Sequence, residues 1–434
     1  MATDTIFALA SGAGRAAIAV VRVSGPATRD ALARLAGFLP APRIATLRAV
    51  RDATGDILDH GLLLWFPEPA SFTGEDAAEF QLHGGRAVVA AVLEALAAVP
   101  GCRPAEPGEF TRRAFLNGKM DLGAVEGLAD LIDAQTQAQR RQALRQLDGV
   151  LGRWVERLRE DLLSALALTE AAIDFAEEDD LVATFEADIE RLAAGVARLV
   201  AEQLARDIRG AKLRDGVAVV IAGPPNAGKS TLLKALAGRD IAIVSAHAGT
   251  TRDAIVVELE LSGYPVQLVD TAGLRETDDP VEREGVARAR ARAAAADLVL
   301  WLCQGPDSGA PAIATGGTLW TVATKADLGP GPESDFAVSA HTGAGLDALV
   351  AALGRFAGEA LVGGEEAVVT RLRHRAALAS AQDHLGRIVA AQRRDLELVA
   401  EDLRGAIGAL AGLVGQIGTE EVLGTIFARF CIGK

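Results

Sequence analysis

The residues best suited to chemistry in this sequence lie in a glycine-rich segment, Gly223–Ser230, which reads GPPNAGKS. Its spacing matches the phosphate-binding pattern GxxxxGK[ST], and it stands between an apolar run, Val217–Ala222, and a helical pattern, Thr231–Leu236. Glycines let backbone N–H groups turn toward phosphate oxygens, and the lysine adds a positive charge. The serine hydroxyl is a ligand for Mg²⁺. We therefore predict a nucleotide phosphate site composed of Asn226, Ala227, Gly228, Lys229, Ser230 and Thr231.

Two later segments supply further groups for the phosphates. In Gly249–Asp253 (GTTRD), Thr251 lies in a predicted loop before a strand, where it can complete a Mg²⁺ shell together with Ser230. Asp270 ends the predicted strand Val266–Val269, so its carboxylate should lie at the edge that faces the phosphates. The residues assigned to these two loops are Ser245, Ala246, His247, Ala248, Gly249, Thr250, Thr251, Asp270, Thr271, Ala272 and Gly273.

A carboxylate that follows another predicted strand indicates which base the bound nucleotide carries. In the segment TKAD, which follows Leu319–Ala323, Asp327 can accept two hydrogen bonds from the N1–H and N2–H₂ edge of guanine, which adenine does not offer. Thr324 stands where comparable GTPases have asparagine, and threonine lacks the two amide donors, so weaker nucleotide affinity is expected. The residues assigned to the base are Thr324, Lys325, Asp327, Ser339, Ala340 and His341, with a backbone donor from Ser339–Ala340 to guanine O6.

Composition limits the other possibilities. The net charge of −14 and the lack of a basic block mean that any contact with nucleic acid is local or shared with a partner, although acidity also serves solubility. The three cysteines are far apart and form no CxxC pair, which argues against a disulfide framework or a zinc site. With no export signal and no apolar stretch of membrane-spanning length, we expect a cytoplasmic protein without a membrane association.

The pattern along the chain predicts three domains. Residues 1–117 mix short apolar runs with glycine and proline, as in an α+β domain. Residues 118–212 and 358–434 have helical periodicity and are expected to form one all-α domain. Residues 213–357 alternate strands and helices, which predicts an inserted α/β P-loop domain with a mostly parallel sheet. Within it, Ile255–Leu261 and Val266–Val269 are too close for a crossover helix and should form an antiparallel hairpin through Ser262–Pro265.

Two apolar stripes in the helical regions share the same order of three- and four-residue spacings. We expect each stripe to line one face of one helix and the two faces to pack together, the alternative being that each packs elsewhere. The stripes are Leu144, Leu147, Leu151, Val155, Leu158 and Leu162, and Leu396, Val399, Leu403, Ile407, Leu410 and Val414.

These motifs resemble the MnmE (TrmE) family of tRNA-modification GTPases. The similarity covers the whole chain: DTIFALAS at the start, SFTGEDAAEFQLHGG, PGEFTRRAFLNGKMDL, the nucleotide motifs, DTAGLRETDDPVEREG and the final FARFCIGK. The two N-terminal segments and the CIGK ending are more specific than the nucleotide motifs, which related GTPases share.

The resemblance implies potassium-stimulated GTP hydrolysis. Ras-like enzymes place a water-orienting glutamine at the position of Leu274, so another group must act here. In the family a carboxylate matching Glu282 orients the water, and we assign Glu282, Lys229 and Thr251 as catalytic. The potassium ion would take the place of an arginine finger, with ligands from Asn226, Ser245, His247 and Thr250.

The resemblance also implies a folate site and a modification reaction. The positions that match folate contacts are Arg22, Glu79, Lys119 and Lys434, and Cys431 matches the family's C-terminal cysteine, whose role stays open. A homodimer would bind 5-formyl- or methylene-tetrahydrofolate and join an FAD-dependent partner of the MnmG (GidA) type in a heterotetramer. Together they would transfer a one-carbon unit to carbon 5 of the wobble uridine of certain tRNAs, with the amine from ammonium or glycine.

Two other classes of function share part of these motifs. A GTPase switch in RNA binding or ribosome assembly has every nucleotide motif but explains neither the folate-like charged set nor the CIGK ending. A structural dimerisation protein with vestigial nucleotide binding does not explain why Lys229, Ser230, Thr251 and Asp270 are all present.

Overall fold

The structure is a computed structural model of the chain. It describes residues 4–175, 179–224, 226–239, 242–243, 256–270, 294–304, 316–329, 331–362, 364, 367–390, 395–415 and 433, without the side chains of 179–181, 207–208 and 242–243. The described chain divides into two compact units. Unit 1 comprises Met1–Ala129, Leu147–Ala167 and Leu403–Lys434, and unit 2 comprises Asp130–Gln146 and Leu168–Asp402.

Unit 1 is built on a six-stranded sheet with the order β3-β4-β5-β2-β1-β6, antiparallel except where β1 and β6 run parallel. The strands are β1 (Thr5–Leu9), β2 (Ile18–Ser24), β3 (Thr46–Arg51), β4 (Ile57–Phe66), β5 (Ala77–His83) and β6 (Cys102–Pro104). The helices among them are α1 (Thr28–Ala36), α2 (Arg86–Ala97) and α3 (Glu109–Leu116). This is the α+β architecture that the sequence predicts for the N-terminal region.

The two faces of this sheet have separate cores because neighbouring strand residues point to opposite sides. Phe7 packs in the larger core with residues of α1 and α2, including Leu32 and Leu96. Ile6 and Ala8, its neighbours in β1, pack instead with Phe110 of α3. The second face therefore lies under α3.

An ionic network holds α3 to the start of the chain. Arg113 is 6% exposed in its side chain and donates to Asp4, Glu75 and Glu109, while Arg103 forms a two-bond pair with Glu109. Burial acts to raise the pKa of Glu109, but the hydrogen bonds from Arg103 and Arg113 outweigh it and hold that pKa below its ordinary value. The buried charges are thus paired, as burial requires.

Unit 2 contains a seven-stranded sheet with the order β13-β12-β11-β7-β10-β9-β8. The strands from β13 to β10 in that order are parallel, and β9 pairs antiparallel with β10 and with β8. The strands are β7 (Val217–Ala222), β8 (Ala242–Ile243), β9 (Val256–Leu261), β10 (Tyr264–Asp270), β11 (Leu298–Cys303), β12 (Thr318–Ala323) and β13 (Phe336–Ala337). The predicted strands and the antiparallel hairpin are confirmed, but the turn is Ser262–Gly263 and not Ser262–Pro265, because Tyr264 and Pro265 already pair with Leu261 and Glu260.

The interior strand β11 is buried at every residue, as expected when helices cover both faces of a parallel sheet. The main core lies between the sheet and α8 (Lys229–Ala237) and α9 (Leu346–Leu361). The remaining helices of the chain are α4 (Leu122–Asp133), α5 (Gln137–Leu147), α6 (Val150–Asp174), α7 (Asp179–Asp215), α10 (Leu372–Ala390) and α11 (Leu396–Val414). Among the described residues, no helix has both the length and the apolarity to cross a membrane.

One of the two predicted stripes does not lie on a single helix. Leu144 and Leu147 belong to α5, whereas Leu151, Val155, Leu158 and Leu162 belong to α6. Gly149 separates the helices with a φ of +76°, a left-handed conformation that ends helices and that glycine adopts without a steric penalty. The second stripe does lie on one helix, α11. The mutual packing of the stripes and the three-domain division stay predictions.

Candidate functional site

The phosphate-binding segment leaves the carboxyl end of β7 and enters α8. Gly223 has a φ of +148°, and a Cβ there would stand 2.6 Å from the carbonyl oxygen of Leu302. Gly228 precedes the helix with a φ of +89°, so α8 starts at Lys229 with its N-terminus toward the loop. Glycine is therefore required by a close approach at one end of the loop and by a left-handed backbone at the other. Such a loop before a helix N-terminus is suited to phosphate.

The three polar side chains predicted to contact phosphate or Mg²⁺ lie close to this loop: Lys229, Ser230 and Asp270. Lys229 Nζ donates to the carbonyl oxygens of Gly223 and Pro224, at 3.0 and 2.9 Å, so the ammonium lies over the loop. Ser230 Oγ donates to Asp270 Oδ2 at 2.8 Å. The parallel pairing of β10 with β7 places Asp270 beside Ile221, at the carboxyl edge of the sheet.

Asp270 provides a test of whether a cation fits here. The residue is only 1% exposed, and among the described residues its Oδ1 has no hydrogen-bond partner. A buried carboxylate oxygen without a partner is costly unless a cation or its hydration shell meets it. Hydroxyl and carboxylate oxygens are ligands that Mg²⁺ prefers. Ser230 and Asp270 therefore fit a Mg²⁺ ion bound with nucleotide phosphates.

The residues predicted to recognise the base follow β12 and β13 at the same edge of the sheet. Lys325 has a φ of +58° and its Nζ donates to Gln304 Oε1 at 2.8 Å, just after β11. A hydrogen bond from Ser339 lowers the pKa of the exposed Asp327, and the nearby His341 acts in the same direction. The carboxylate is thus kept ionised, the state that can accept both guanine N–H groups. Since the Ser339 N–H donates to the Ala344 carbonyl at 2.9 Å, the backbone donor for guanine O6 is expected at Ala340.

Thr324 has a structural role that its residue type did not show in the sequence. It is 8% exposed, and its hydroxyl donates to the Ala227 carbonyl at 2.8 Å and approaches the Cys303 carbonyl at 3.3 Å. The side chain therefore ties the phosphate loop to the ends of β11 and β12. Gln304 was likewise missed, although its place directly after a buried parallel strand is the signal that could have found it.

Replacing Thr324 with valine should weaken both the fold and GTP binding. The change keeps the shape but removes the donor to the buried Ala227 carbonyl, which should lower the free energy of unfolding by about 1–3 kcal/mol. Thr324→Asn should raise GTP affinity, because the amide restores two donors. Thermal unfolding and GTP titration measure these effects, with Thr318→Val, at the exposed start of the same strand, as the matched control. Equal stability of the two valine variants would contradict the proposed tie.

Some of the remaining residues predicted for the nucleotide site are described by the structure, and others are not. Asn226 is exposed and has a φ of +61°, and Ala227 is buried beneath the loop. The other predicted residues of the two switch loops lie outside the described residues: Ser245, Ala246, His247, Ala248, Gly249, Thr250, Thr251, Thr271, Ala272, Gly273 and Glu282. Their assignments stay predictions.

Of the four predicted folate residues, the structure brings two together. Arg22 and Glu79 are cross-strand partners on β2 and β5, joined from Arg22 Nη2 to Glu79 Oε1 at 3.0 Å. The Arg22 guanidinium also lies over the rings of Phe72 and Phe110, 5.2 and 5.8 Å from their centroids. Lys119 Nζ instead donates to the Pro69 carbonyl at 3.1 Å. Lys434 and Cys431 lie outside the described residues.

Comparison with known proteins extends these observations over the full chain. Residues 5–119 match the family model of the GTP-binding protein TrmE N-terminus, and residues 122–431 match that of the MnmE helical domain. Similar curated proteins are called tRNA modification GTPase MnmE. Those of Rhodopseudomonas palustris and of a Methylobacterium species are 53% and 56% identical, over 99% and 100% of both chains. That of Methylorubrum populi is 56% identical over 99% of this chain and 98% of its own.

A similar solved structure is that of Aquifex aeolicus Era bound to GDP and aluminium fluoride. It is 24% identical over 41% of this chain and 68% of its own, with a TM-score of 0.28, and it adds no weight to the assignment. The two family models and the full-length identity are sufficient without it. The chain belongs to the MnmE family of tRNA modification GTPases.

Proposed function

We propose that this GTP hydrolase, with an FAD-dependent partner protein, installs a (carboxymethyl)aminomethyl group at carbon 5 of the wobble uridine of certain tRNAs. The observation that carries the proposal is identity of 53–56% to proteins called tRNA modification GTPase MnmE over essentially the whole chain. A shared nucleotide domain alone would also fit an RNA-binding or ribosome-assembly switch. Similarity that includes the N-terminal and helical regions favours the modification enzyme.

GTP hydrolysis in this proposal uses the predicted site residues in distinct roles. Lys229 stabilises charge on the phosphates, and Ser230 and Asp270 would hold a Mg²⁺ ion, which would screen the same charge. Asp327 selects guanine. Glu282 orients the attacking water, since Leu274 cannot, and Thr251 contributes to the Mg²⁺ shell.

Potassium is proposed to stabilise the transition state beside the phosphate loop. Asn226 is the described member of its ligand set, and its left-handed backbone places it at the exposed turn of the loop. GTP turnover should be at least about tenfold faster in potassium than in sodium at equal ionic strength. The reason is that the ion takes the place of an arginine finger, which in other GTPases raises kcat by about 10³–10⁵. Asn226→Ala should remove the preference, and Glu282→Ala should slow turnover with little change in GTP affinity. Equal wild-type rates in both salts would exclude the potassium role.

A tetrahydrofolate is proposed to bind the N-terminal α+β region, where Arg22 and Glu79 are held as a pair against two aromatic rings. Cationic groups suit folate carboxylates, and a glutamate suits the N–H edge of the pterin. The pair also has a purely structural interpretation, as a cross-strand ion pair.

Calorimetric titration with 5-formyltetrahydrofolate distinguishes the two interpretations. We expect binding in the micromolar range, weakened at least about tenfold by Glu79→Ala, which corresponds to about 1.4 kcal/mol. Deletion of the last four residues should also weaken it, while Arg191→Gln, in an exposed pair on α7, should not. A wild-type protein that binds no folate in this range would leave the GTPase assignment intact but remove the one-carbon chemistry.

Homodimerisation, the heterotetramer with the FAD-dependent partner and a cytoplasmic location belong to the same proposal. Their support is the family membership. In this arrangement the partner carries out the redox chemistry, and this chain supplies the nucleotide-driven step and the one-carbon unit.

A further inference from the structure

Two helical segments of unit 2 have a charge opposite to that of the whole chain. The net charge is −14, yet residues 134–147 and 367–382 contain no aspartate or glutamate. Their charged residues are six arginines, with no lysine: Arg140, Arg141, Arg145, Arg371, Arg373 and Arg375. The first segment contains α5, and the second contains the start of α10.

The inner face of α5 is fixed by contacts that the hydrophobic pattern does not reveal. Gln142, 4% exposed, donates through Nε2 to the carbonyls of Gly210 and Gly364, at 3.2 and 2.9 Å. Gln139 Nε2 donates to the Arg214 carbonyl at 2.9 Å. These bonds secure α5 to the segments that lead into and out of the α/β part of unit 2.

The outer face of α5 consequently presents its arginines to solvent. At 100° per residue, Arg140 and Arg141 lie on the side opposite Gln139, Gln142 and Gln146, and Arg145 lies at the flank of that side; all three arginines are exposed. Arg140 Nη2 bonds to the neutral Gln137, at 3.1 Å. Among the described residues, no ion pair involves Arg140 or Arg145.

The second arginine segment adjoins the first. Gln146 of α5 donates to the Val368 carbonyl at 2.7 Å, a few residues before α10. Arg371, just before α10, forms an ion pair with Asp130 near the end of α4, and this pair fixes the start of α10. Arg375, in the first turn of α10, is exposed. The two arginine segments are therefore neighbours in unit 2.

We infer that the arginines of α5 and of the start of α10 form a binding surface for the phosphate backbone of RNA. Arginine presents a planar donor fork that matches the oxygens of a phosphate group, and membership of a family of tRNA modification GTPases makes RNA the phosphate-bearing ligand to expect. A local surface on an acidic chain also avoids the general attraction to nucleic acid that a basic chain would have. The inference rests on the proposed function for its substrate, tRNA.

The test compares two double variants of the full-length protein in binding to transcribed tRNA over a series of salt concentrations. Arg140→Gln with Arg145→Gln removes two charges from the proposed surface. Arg191→Gln with Arg198→Gln removes two exposed charges from α7, where each arginine pairs with an acid of the same helix. Circular dichroism and thermal unfolding verify that both variants fold.

Each lost phosphate contact should reduce the slope of log K against log salt by about 0.7–0.9, so the first variant should lose about 1.4–1.8 and the control almost nothing. An unchanged slope in the first variant, an equal loss in the control, or no tRNA binding by the wild type would overturn the inference. Wobble-nucleoside analysis in cells reports separately on the proposed function. If the wild-type chain supports modification but the Arg140→Gln, Arg145→Gln variant binds tRNA normally, the proposed surface is wrong and the proposed function stands.

Discussion

Replacing Asp327 with asparagine is expected to convert a preference for guanine nucleotides into one for xanthine nucleotides. The proposed role of the carboxylate is to accept the N1–H and N2–H₂ groups of guanine, whereas an amide would present a donor to the carbonyl that xanthine has at C2. Sites that hydrogen-bond a polar group discriminate by about 10⁴–10⁵ against ligands that lack it, so the ratio of GTP to XTP affinity should change by a comparable factor. Competition binding with labelled GTP and XTP measures that ratio.

The control for this change is Asp347→Asn, an exposed aspartate of unit 2 that pairs with Arg239. It alters the net charge equally and should leave the ratio of affinities unchanged. GTP affinity that is the same in Asp327→Asn and in the wild type would show that another residue recognises the base.

Ser230→Ala is expected to reduce GTP turnover by about 10²–10³, in the range found when one transition-state ligand is lost. The change removes the hydroxyl that donates to Asp270 Oδ2 at 2.8 Å. Asp270 Oδ1 already has no hydrogen-bond partner among the described residues, so neither oxygen of the carboxylate would keep one there. Mg²⁺ should then support hydrolysis only at higher concentration. Steady-state GTP hydrolysis over a magnesium titration measures both effects.

Ser230→Thr serves as the matched variant, because threonine keeps the hydroxyl and also occurs at this place in the GxxxxGK[ST] pattern. It should retain most of the activity. If alanine and threonine variants hydrolyse GTP equally well, the hydroxyl is not a ligand and the Mg²⁺ assignment fails.

The parts of the fold that follow from buried apolar runs could be predicted from the sequence. β7 matches the predicted apolar run Val217–Ala222 residue for residue, because a strand that is covered on both faces has a continuous apolar sequence. The positions of Ser230 and Asp270 followed from the rule that parallel strands end at one edge, where their hydrogen bond is found.

Features that depend on single backbone conformations or on polar contacts could not be predicted in this way. The stripe through Leu144 and Leu151 looks continuous in the sequence. The spacing of apolar residues gives no sign that Gly149, between them, adopts a left-handed φ and separates two helices. Gln142 and Gln146 look like solvent-facing residues, yet both are buried, and their Nε2 groups donate to backbone carbonyls of distant segments. The sequence shows that Thr324 departs from the usual asparagine. It does not show the hydrogen bond from Thr324 to the Ala227 carbonyl, because that bond depends on how closely the phosphate loop approaches β12 in the fold.

The most direct test of the account is mass spectrometry of the wobble nucleosides in tRNA from cells that lack this chain. We expect the 5-(carboxymethyl)aminomethyl-type uridine to disappear, to return with the wild-type chain, and to stay absent with the chain carrying Ser230→Ala. Unmodified uridine, or a shortened precursor, should accumulate in its place. A nucleoside profile identical to that of the parent cells would contradict the claim that this GTPase acts in wobble-uridine modification.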